Sequence, residues 1–443
     1  MNESASEAAA VIAGSKQVAS NRPEDWGWVD RSIWTDSMLA ALGNGVRGGK
    51  WFSLIDKVYR PATLRSAWQQ VLVNRGAAGV DRVSVERFAG HLDRYLGELG
   101  QELESGRYRP LPVRRVEIEK ADGKLRPLGI PTVRDRVAQA AVKRVIEPIF
   151  EQLFAPMSFG FRPGRGCKDA LRVVDGLLQA GYTHVVDADL KGYFDSIPHD
   201  RLKQRLAAHI SDGRLLALLA GWIEQDVVQE LKSWKPTSGT PQGAVISPLL
   251  ANLYLHDLDV KLARLGLSMV RYADDFVILC QSAAAATDAL DVVRAWVEAE
   301  GLQLHPDKTH VGDCRIAGQG FEFLGYRFEA GRRRVRDKSL KALKAKIRSK
   351  TRRTEGKSLQ QIVSGLNPML RGWFNYFKHA QRGVFQMLDG FIRRRLRALL
   401  RKQAKRPGAG RCLADQRRWP HAFFASAGLF TMTEARRTAS QSR

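Results

Sequence analysis

Two adjacent carboxylates lie between two runs of β-forming residues. The fragment is Val270-Arg-Tyr-Ala-Asp-Asp-Phe-Val-Ile-Leu279, with Asp274 and Asp275 at its centre. The β-branched and aromatic flanks make residues 269–280 two short strands around a central turn. A solvated acidic turn has no need of such apolar flanks. Like charges side by side repel, and holding them together is costly unless a cation joins them. The fragment therefore commits the chain to a sheet whose hairpin tip carries a charged site.

A second fragment, Val185-Val-Asp-Ala-Asp-Leu-Lys-Gly-Tyr-Phe-Asp195, is an apolar strand that ends in acid. Strand alternation places Asp187 and Asp189 on one face and Val186 and Ala188 on the other. A strand-end carboxylate beside a hairpin-tip pair is an oxygen-only donor set. Such a set suits two Mg²⁺ ions, with water and substrate phosphates completing the coordination. Two ions ~3.5–4 Å apart serve phosphoryl transfer by activating a hydroxyl and stabilising a leaving oxygen.

Charge narrows the substrate. From residue 331 onward there are 30 Lys and Arg against 5 Asp and Glu, which accounts for the whole net charge of +25. The first 330 residues balance to zero. Such a block favours a polyanion, most often nucleic acid. A mere solubility tail would lack its apolar periodicity and aromatics. The 44% hydrophobic content excludes wholesale disorder. No apolar run approaches the ~18 residues that span a bilayer, and the N-terminus has no signal-like apolar core. The expectation is a cytoplasmic protein with no membrane partner. Cys167, Cys280, Cys314 and Cys412 are scattered, which argues against a disulfide framework or a zinc site.

Along the chain, residues 1–30 read as a loose tail, and helical periodicity runs from 34 to 99. Residues 111–119 and 124–130 form a basic hairpin around Ala121-Asp-Gly123, and 133–153 is a helix. Residues 338–350 and 384–400 are helices with one apolar side and an Arg-rich remainder. Pro407-Gly-Ala-Gly410 reads as a linker and the end as irregular.

Taken in order, the motifs are similar to those of group II intron-encoded reverse transcriptase/maturases. Tyr272-Ala-Asp-Asp275 resembles the catalytic signature, and Asp189-Leu-Lys-Gly-Tyr-Phe194 the first aspartate motif. Arg75-Gly-Ala-Ala-Gly-Val-Asp81 resembles the N-terminal extension, and Gly123-Lys-Leu-Arg-Pro-Leu-Gly-Ile-Pro-Thr132 the fingers. Ser158-Phe-Gly-Phe-Arg-Pro-Gly-Arg-Gly166 and Gly239-Thr-Pro-Gln-Gly-Ala-Val-Ile-Ser-Pro-Leu-Leu-Ala-Asn252 follow, the latter resembling the nucleotide-pocket helix. Leu304-His-Pro-Asp-Lys-Thr309, Phe323-Leu-Gly-Tyr326 and Gly372-Trp-Phe-Asn-Tyr-Phe377 close the series. With 43 residues after Leu400 and the single Cys412 there, the chain resembles the compact, endonuclease-lacking, class C type.

The resemblance implies an α+β right-hand polymerase with fingers, a ferredoxin-like antiparallel palm, a helical thumb and a basic C-terminal region. It divides the chain into a tail (1–30), an N-terminal extension and start of the fingers (31–104), and fingers and palm (105–330). A thumb or maturase domain (331–406) and a DNA-binding region (407–443) follow. The implied activity is RNA-templated DNA synthesis by two-metal chemistry, joined to help in splicing and mobility of a host intron. The implied partners are group II intron RNA, target DNA, a primer–template duplex and dNTPs. Asp189 and Asp274 would ligate both Mg²⁺ ions, Asp275 would support them, and Asp187 would stand behind them. Phe194 would be the steric gate that excludes a 2′-hydroxyl, Gln242 would line the nucleotide pocket, and Tyr272 would belong with the substrate-binding residues. Lys120, Lys124 and Arg126 would reach the triphosphate, with Arg offering a bidentate fork. Lys308 would protonate departing pyrophosphate, and Arg162 and Arg165, on a Gly-rich loop, would hold template or primer phosphates. The rival expectations are a maturase that only binds RNA and a reverse transcriptase domesticated for host defence. An RNA polymerase of the same palm would carry a small or polar residue in place of Phe194.

Overall fold

The computed structural model describes residues 26–441, apart from 47, 120–122 and 124. Lys120 and Lys124 thus lie outside the described residues. The chain divides into two compact units, 1–311 and 312–443. Among the described residues no helix is long and apolar enough to cross a membrane.

In the first unit, β1 (Val113–Glu119) and β2 (Leu125–Ile130) form the expected antiparallel hairpin, with Ile118 opposite Arg126. Further strands are β3 (His184–Asp189), β4 (Val227–Gln229), β5 (Lys232–Trp234), β6 (Ser268–Tyr272), β7 (Asp275–Cys280) and β8 (His310–Asp313), the last running across the division after 311. They make two four-stranded sheets, ordered β2-β1-β4-β5 and β6-β7-β3-β8. In the second sheet, β7 pairs antiparallel with both β6 and β3. Helix Val133–Glu151 runs through the core and is buried on most sides. Thr132 caps it by accepting from the Asp135 N–H at 3.1 Å. Gly79 packs on that cap, because a Cβ there would lie 2.7 Å from the Thr132 backbone. Arg136 then clamps the same loop through the Arg75 and Ala77 carbonyls.

The loose tail expected through residue 30 does not extend that far. Trp26 and Val29 are buried, and Asp30 accepts from Ser66 Oγ at 2.8 Å. Their apolar area outweighs the polar composition around them.

The second unit opens on a three-stranded antiparallel sheet of β9 (Phe321–Phe323), β10 (Tyr326–Glu329) and β11 (Arg332–Val335). Helices Asp337–Lys350, Leu359–Phe377 and Gly383–Gln403 follow. Phe374 and Phe377 are core residues, and the Tyr326 hydroxyl donates to the Tyr376 carbonyl at 2.6 Å. The sequence break expected at 330/331 thus falls after 311, with β9–β11 in the second unit. Up to residue 441 the C-terminal region is helical rather than irregular, through Leu413–Arg418, His421–Ser426 and Met432–Gln441. Asp389 accepts from Met432 N and Thr433 N, and Asn367 bridges the Gly428 carbonyl and Phe430 N. These partners lie more than 40 residues away, so the local composition does not reveal them.

Candidate active site

The β6–β7 hairpin turns at Ala273, whose φ is +61°. Tyr272 ends β6, Asp275 starts β7, and the two are partners in register. On the other side of β7, Asp189 is the register partner of Asp275. Asp187, Asp189, Asp274 and Asp275 therefore share one end of one sheet. Burial, reinforced by the charge of Asp189, raises the Asp274 carboxyl above the ordinary range; its own backbone hydrogen bond and the positive charges of Arg126 and Arg271 oppose this. The repulsion between Asp189 and Asp274 is the part of this shift that a cation joining them would relieve.

Lys308 reaches this cluster, and its ammonium is ion-paired with Asp189 Oδ2. The segment that carries it is anchored by the His305 N–H, which donates to the Asp189 carbonyl at 2.7 Å. Tyr272 is half-buried beside the Cys167 thiol, and desolvation with that neighbour pushes its phenol up to about 12.

A second group faces the fingers hairpin. Arg126 Nε donates to Gln242 Oε1 at 3.0 Å, and Gln242 Nε2 donates to Asp195 Oδ2 at 3.0 Å. Asp195 follows Phe194, whose carbonyl accepts from Thr240 N at 2.7 Å. The Phe194 ring is half-buried and packs at the edge of the core. Two glycines permit the close approach of these loops. A Cβ on Gly239 would lie 2.8 Å from the Asp195 backbone, and one on Gly243 would lie 2.5 Å from the Gly129 carbonyl. Arg126, Gln242, Asp195 and Phe194 are thus linked through protein groups alone.

The expected phosphate-holding role does not fit Arg162. Its side chain is 2% exposed and forks onto Glu151, with Nη2–Oε1 at 2.6 Å. Its Nη1 also donates to the Ala155 and Ser158 carbonyls. Arg165 likewise turns inward, donating to the Pro156 carbonyl at 2.7 Å. Both arginines donate to their own loop, and the buried Arg162 guanidinium must spend its donors on protein acceptors.

That loop supports the acidic hairpin from behind. Met157 and Phe159 exchange backbone hydrogen bonds with Arg271, each at 2.9 Å. A Cβ on Gly160 would stand 2.2 Å from the Ala273 nitrogen. The fully buried Arg271 guanidinium pairs with Asp259 and donates to Asn252 Oδ1 at 2.9 Å and to the Ala273 carbonyl at 2.8 Å. Asn252 Nδ2 in turn donates to the Gly160 carbonyl at 2.7 Å. Arg271, Asp259, Asn252 and Asp195 were not foreseen from sequence. One signal was available, because an arginine within a buried strand requires an acid, and helix Ser247–Arg264 carries Asp259 among apolar residues.

Among the described residues no group of three or more His, Cys, Asp or Glu is gathered closely enough to hold a metal unaided. Asp189 and Asp274 still fit Mg²⁺ as hard oxygen donors, because this ion retains waters and takes one or two carboxylates plus substrate phosphates.

Comparison with known proteins agrees with this geometry. Residues 118–328 match the reverse transcriptase (RNA-dependent DNA polymerase) family, and residues 340–419 match the group II intron maturase-specific domain. Protein YkfC of Escherichia coli (strain K12) is 36% identical over 318 residues, covering 62% of this chain and 82% of its own. The group II intron-encoded protein LtrA of Lactococcus lactis subsp. cremoris is 37% identical over 201 residues. That match covers 45% of this chain and 33% of LtrA, so only about a third of LtrA's length is spanned. A 91 kDa protein in a cob intron of Schizosaccharomyces pombe is 42% identical over 159 residues, covering 36% of this chain and 20% of its own. With a reverse transcriptase fold of mixed α+β sheets followed by a maturase domain, the chain belongs to the group II intron reverse transcriptase/maturase family of RNA-directed DNA polymerases.

Proposed function

We propose that this protein copies RNA into DNA from a primer–template and dNTPs, and that its second unit acts as a maturase on group II intron RNA. Target DNA is its further partner, and the cytoplasm its place of work. The observation that carries the polymerase reading is the register of Asp189 opposite Asp275, with Asp274 at the adjoining hairpin tip.

Asp189 and Asp274 would hold two Mg²⁺ ions, with Asp275 in support. When bound, such ions neutralise triphosphate charge and favour a nucleophilic primer hydroxyl. The chain's own residues set the rest. Arg126 exchanges Gln242 for a triphosphate oxygen, a charged and therefore stronger acceptor for its guanidinium N–H donors. Phe194 stands under the sugar and rejects a 2′-hydroxyl. Gln242 and Tyr272 line the substrate. Lys308 holds a proton on Nζ within reach of the leaving phosphate.

Primer extension on an RNA template, comparing wild type with Asp274→Ala/Asp275→Ala, tests this. Extension by wild type alone is expected. If neither protein extends a primer while both bind intron RNA tightly, the polymerase reading falls and an RNA-binding maturase remains.

A further inference from the structure

Three cations of the second unit converge on a single ring. Phe391 lies midway along helix Gly383–Gln403 and is only partly buried. Arg394, one turn on, places its guanidinium carbon 5.4 Å from the ring centroid. From helix Asp337–Lys350, Arg348 comes to 5.5 Å and the Lys344 ammonium to 6.0 Å. Lys344 and Arg348 are four residues apart, so both stand on the helix face turned toward Phe391. Arg395 clips the two helices together by donating to Thr351 Oγ1 at 3.0 Å and to the Thr351 carbonyl at 2.8 Å.

The arrangement carries uncompensated charge. Among the described residues, Lys344, Arg348 and Arg394 have no carboxylate within ion-pair reach. Arg395 is lowered by burial and, after that, by the like charges of Arg353, Arg348 and Arg394. Lysines and arginines that merely face water would spread apart. Here each gains cation–π attraction to one ring, which offsets part of their repulsion and restrains three long side chains. Side-chain freedom that is given up before binding does not have to be lost on binding.

We propose that Phe391 gathers Lys344, Arg348 and Arg394 into a preformed clamp for the phosphates of a folded RNA. This rests on the maturase reading of the second unit, since the maturase-domain match at 340–419 contains all four residues. Cations that track one strand of a duplex are strung along a line. These meet at a point, which suits a place where two backbone segments of a folded RNA come together.

The test measures binding of the full chain to transfer RNA, and to an RNA–DNA hybrid duplex of equal phosphate number, across a salt series. Lys344→Gln/Arg348→Gln/Arg394→Gln should lower the salt slope for transfer RNA by about 2–3, because each phosphate no longer neutralised takes ~0.7–0.9 from it. A matched control, Lys402→Gln/Lys405→Gln/Arg411→Gln, removes the same net charge elsewhere and should change the slope less. Phe391→Leu leaves the charge intact and should weaken transfer RNA binding about fivefold, while Phe391→Tyr, which keeps a ring, should restore it. A circular dichroism melt confirms that each variant is folded. If the Gln and Leu variants bind transfer RNA like wild type, the clamp is refuted. It is equally refuted if their loss is as large on the hybrid, or no larger than that of the control. If wild type binds transfer RNA without salt dependence, the maturase reading fails first and the clamp with it.

Discussion

Gly160→Ala isolates the fit between the Gly-rich loop and the hairpin that carries Asp274. The added methyl would stand 2.2 Å from the Ala273 nitrogen and 2.9 Å from the Tyr272 carbonyl carbon, where ordinary contact begins at 3.4 Å. Gly160 does not need a positive φ, so alanine brings no backbone penalty of its own. The loop cannot easily retreat, because the Gly160 carbonyl is held by Asn252 and Phe159 N by the Arg271 carbonyl. The hairpin must therefore yield by about 1.2 Å, and Asp274 moves with it. Overpacking of this kind costs ~1–3 kcal/mol. A domain reserve of ~5–15 kcal/mol tolerates that, so the fold survives with a lower melting temperature. Catalysis is less tolerant, since a displacement of ~1 Å at reacting groups costs ~100-fold in rate. Single-turnover primer extension should show that loss in the maximal rate, with the dNTP half-saturation changed by less than about threefold. A folded variant that extends primers within threefold of wild type would refute the reasoning. So would a loss confined to dNTP affinity.

Three further outcomes follow from the same contacts. Asp259→Ala strands the buried Arg271 charge and should cost ~3–5 kcal/mol in denaturant unfolding. Arg271→Met with Asp259→Leu should regain most of that stability but not primer extension, because the Ala273 carbonyl loses its donor; recovered extension would sink the positioning role. Phe194→Ala should raise incorporation of ribonucleotides relative to deoxynucleotides by at least about tenfold, and an unchanged ratio would show that Phe194 is only packing. His209 and His256 are held below 6.5 chiefly by burial. Below pH 6.5 the unfolded chain binds protons that the fold disfavours, so their contribution is present above 6.5 and is lost as the pH falls. The melting temperature should drop from pH 7 to 5, and less so in His256→Gln; equal drops would exclude His256.

The placement of the carboxylates was legible because its signals are local. Period-two alternation sets the face of Asp187 and Asp189, and the apolar flanks of Asp274-Asp275 set the hairpin. What stayed hidden was non-local or short. Strands β4, β5 and β9 have three residues each, too few to show a period. Arg162 and Arg165 sit among glycines, and in sequence nothing separates an arginine that grips phosphate from one that grips its own loop. The difference is Glu151, eleven residues before Arg162 and on a different element. The C-terminal helices were missed for the same reason, since Asn367 and Asp389 supply their caps from distant helices.

The arginines and lysines around the acidic pair divide by burial, and burial decides what each can do. Arg271 is wholly enclosed and bound to Asp259, so the two form a nearly neutral unit. A guanidinium so placed cannot leave, follow a substrate or exchange partners without stranding a buried carboxylate. It can only fix the backbone that presents Asp274. Arg126 and Lys308 are exposed and hold Gln242 and Asp189 by contacts that face solvent. Such contacts are individually weak, about 0–1 kcal/mol, and therefore exchangeable. Under the proposed polymerase reading, an incoming triphosphate would bring several negative oxygens and out-compete both. The proposed division thus gives positioning to the cation that cannot move, and substrate handling to the cations that can.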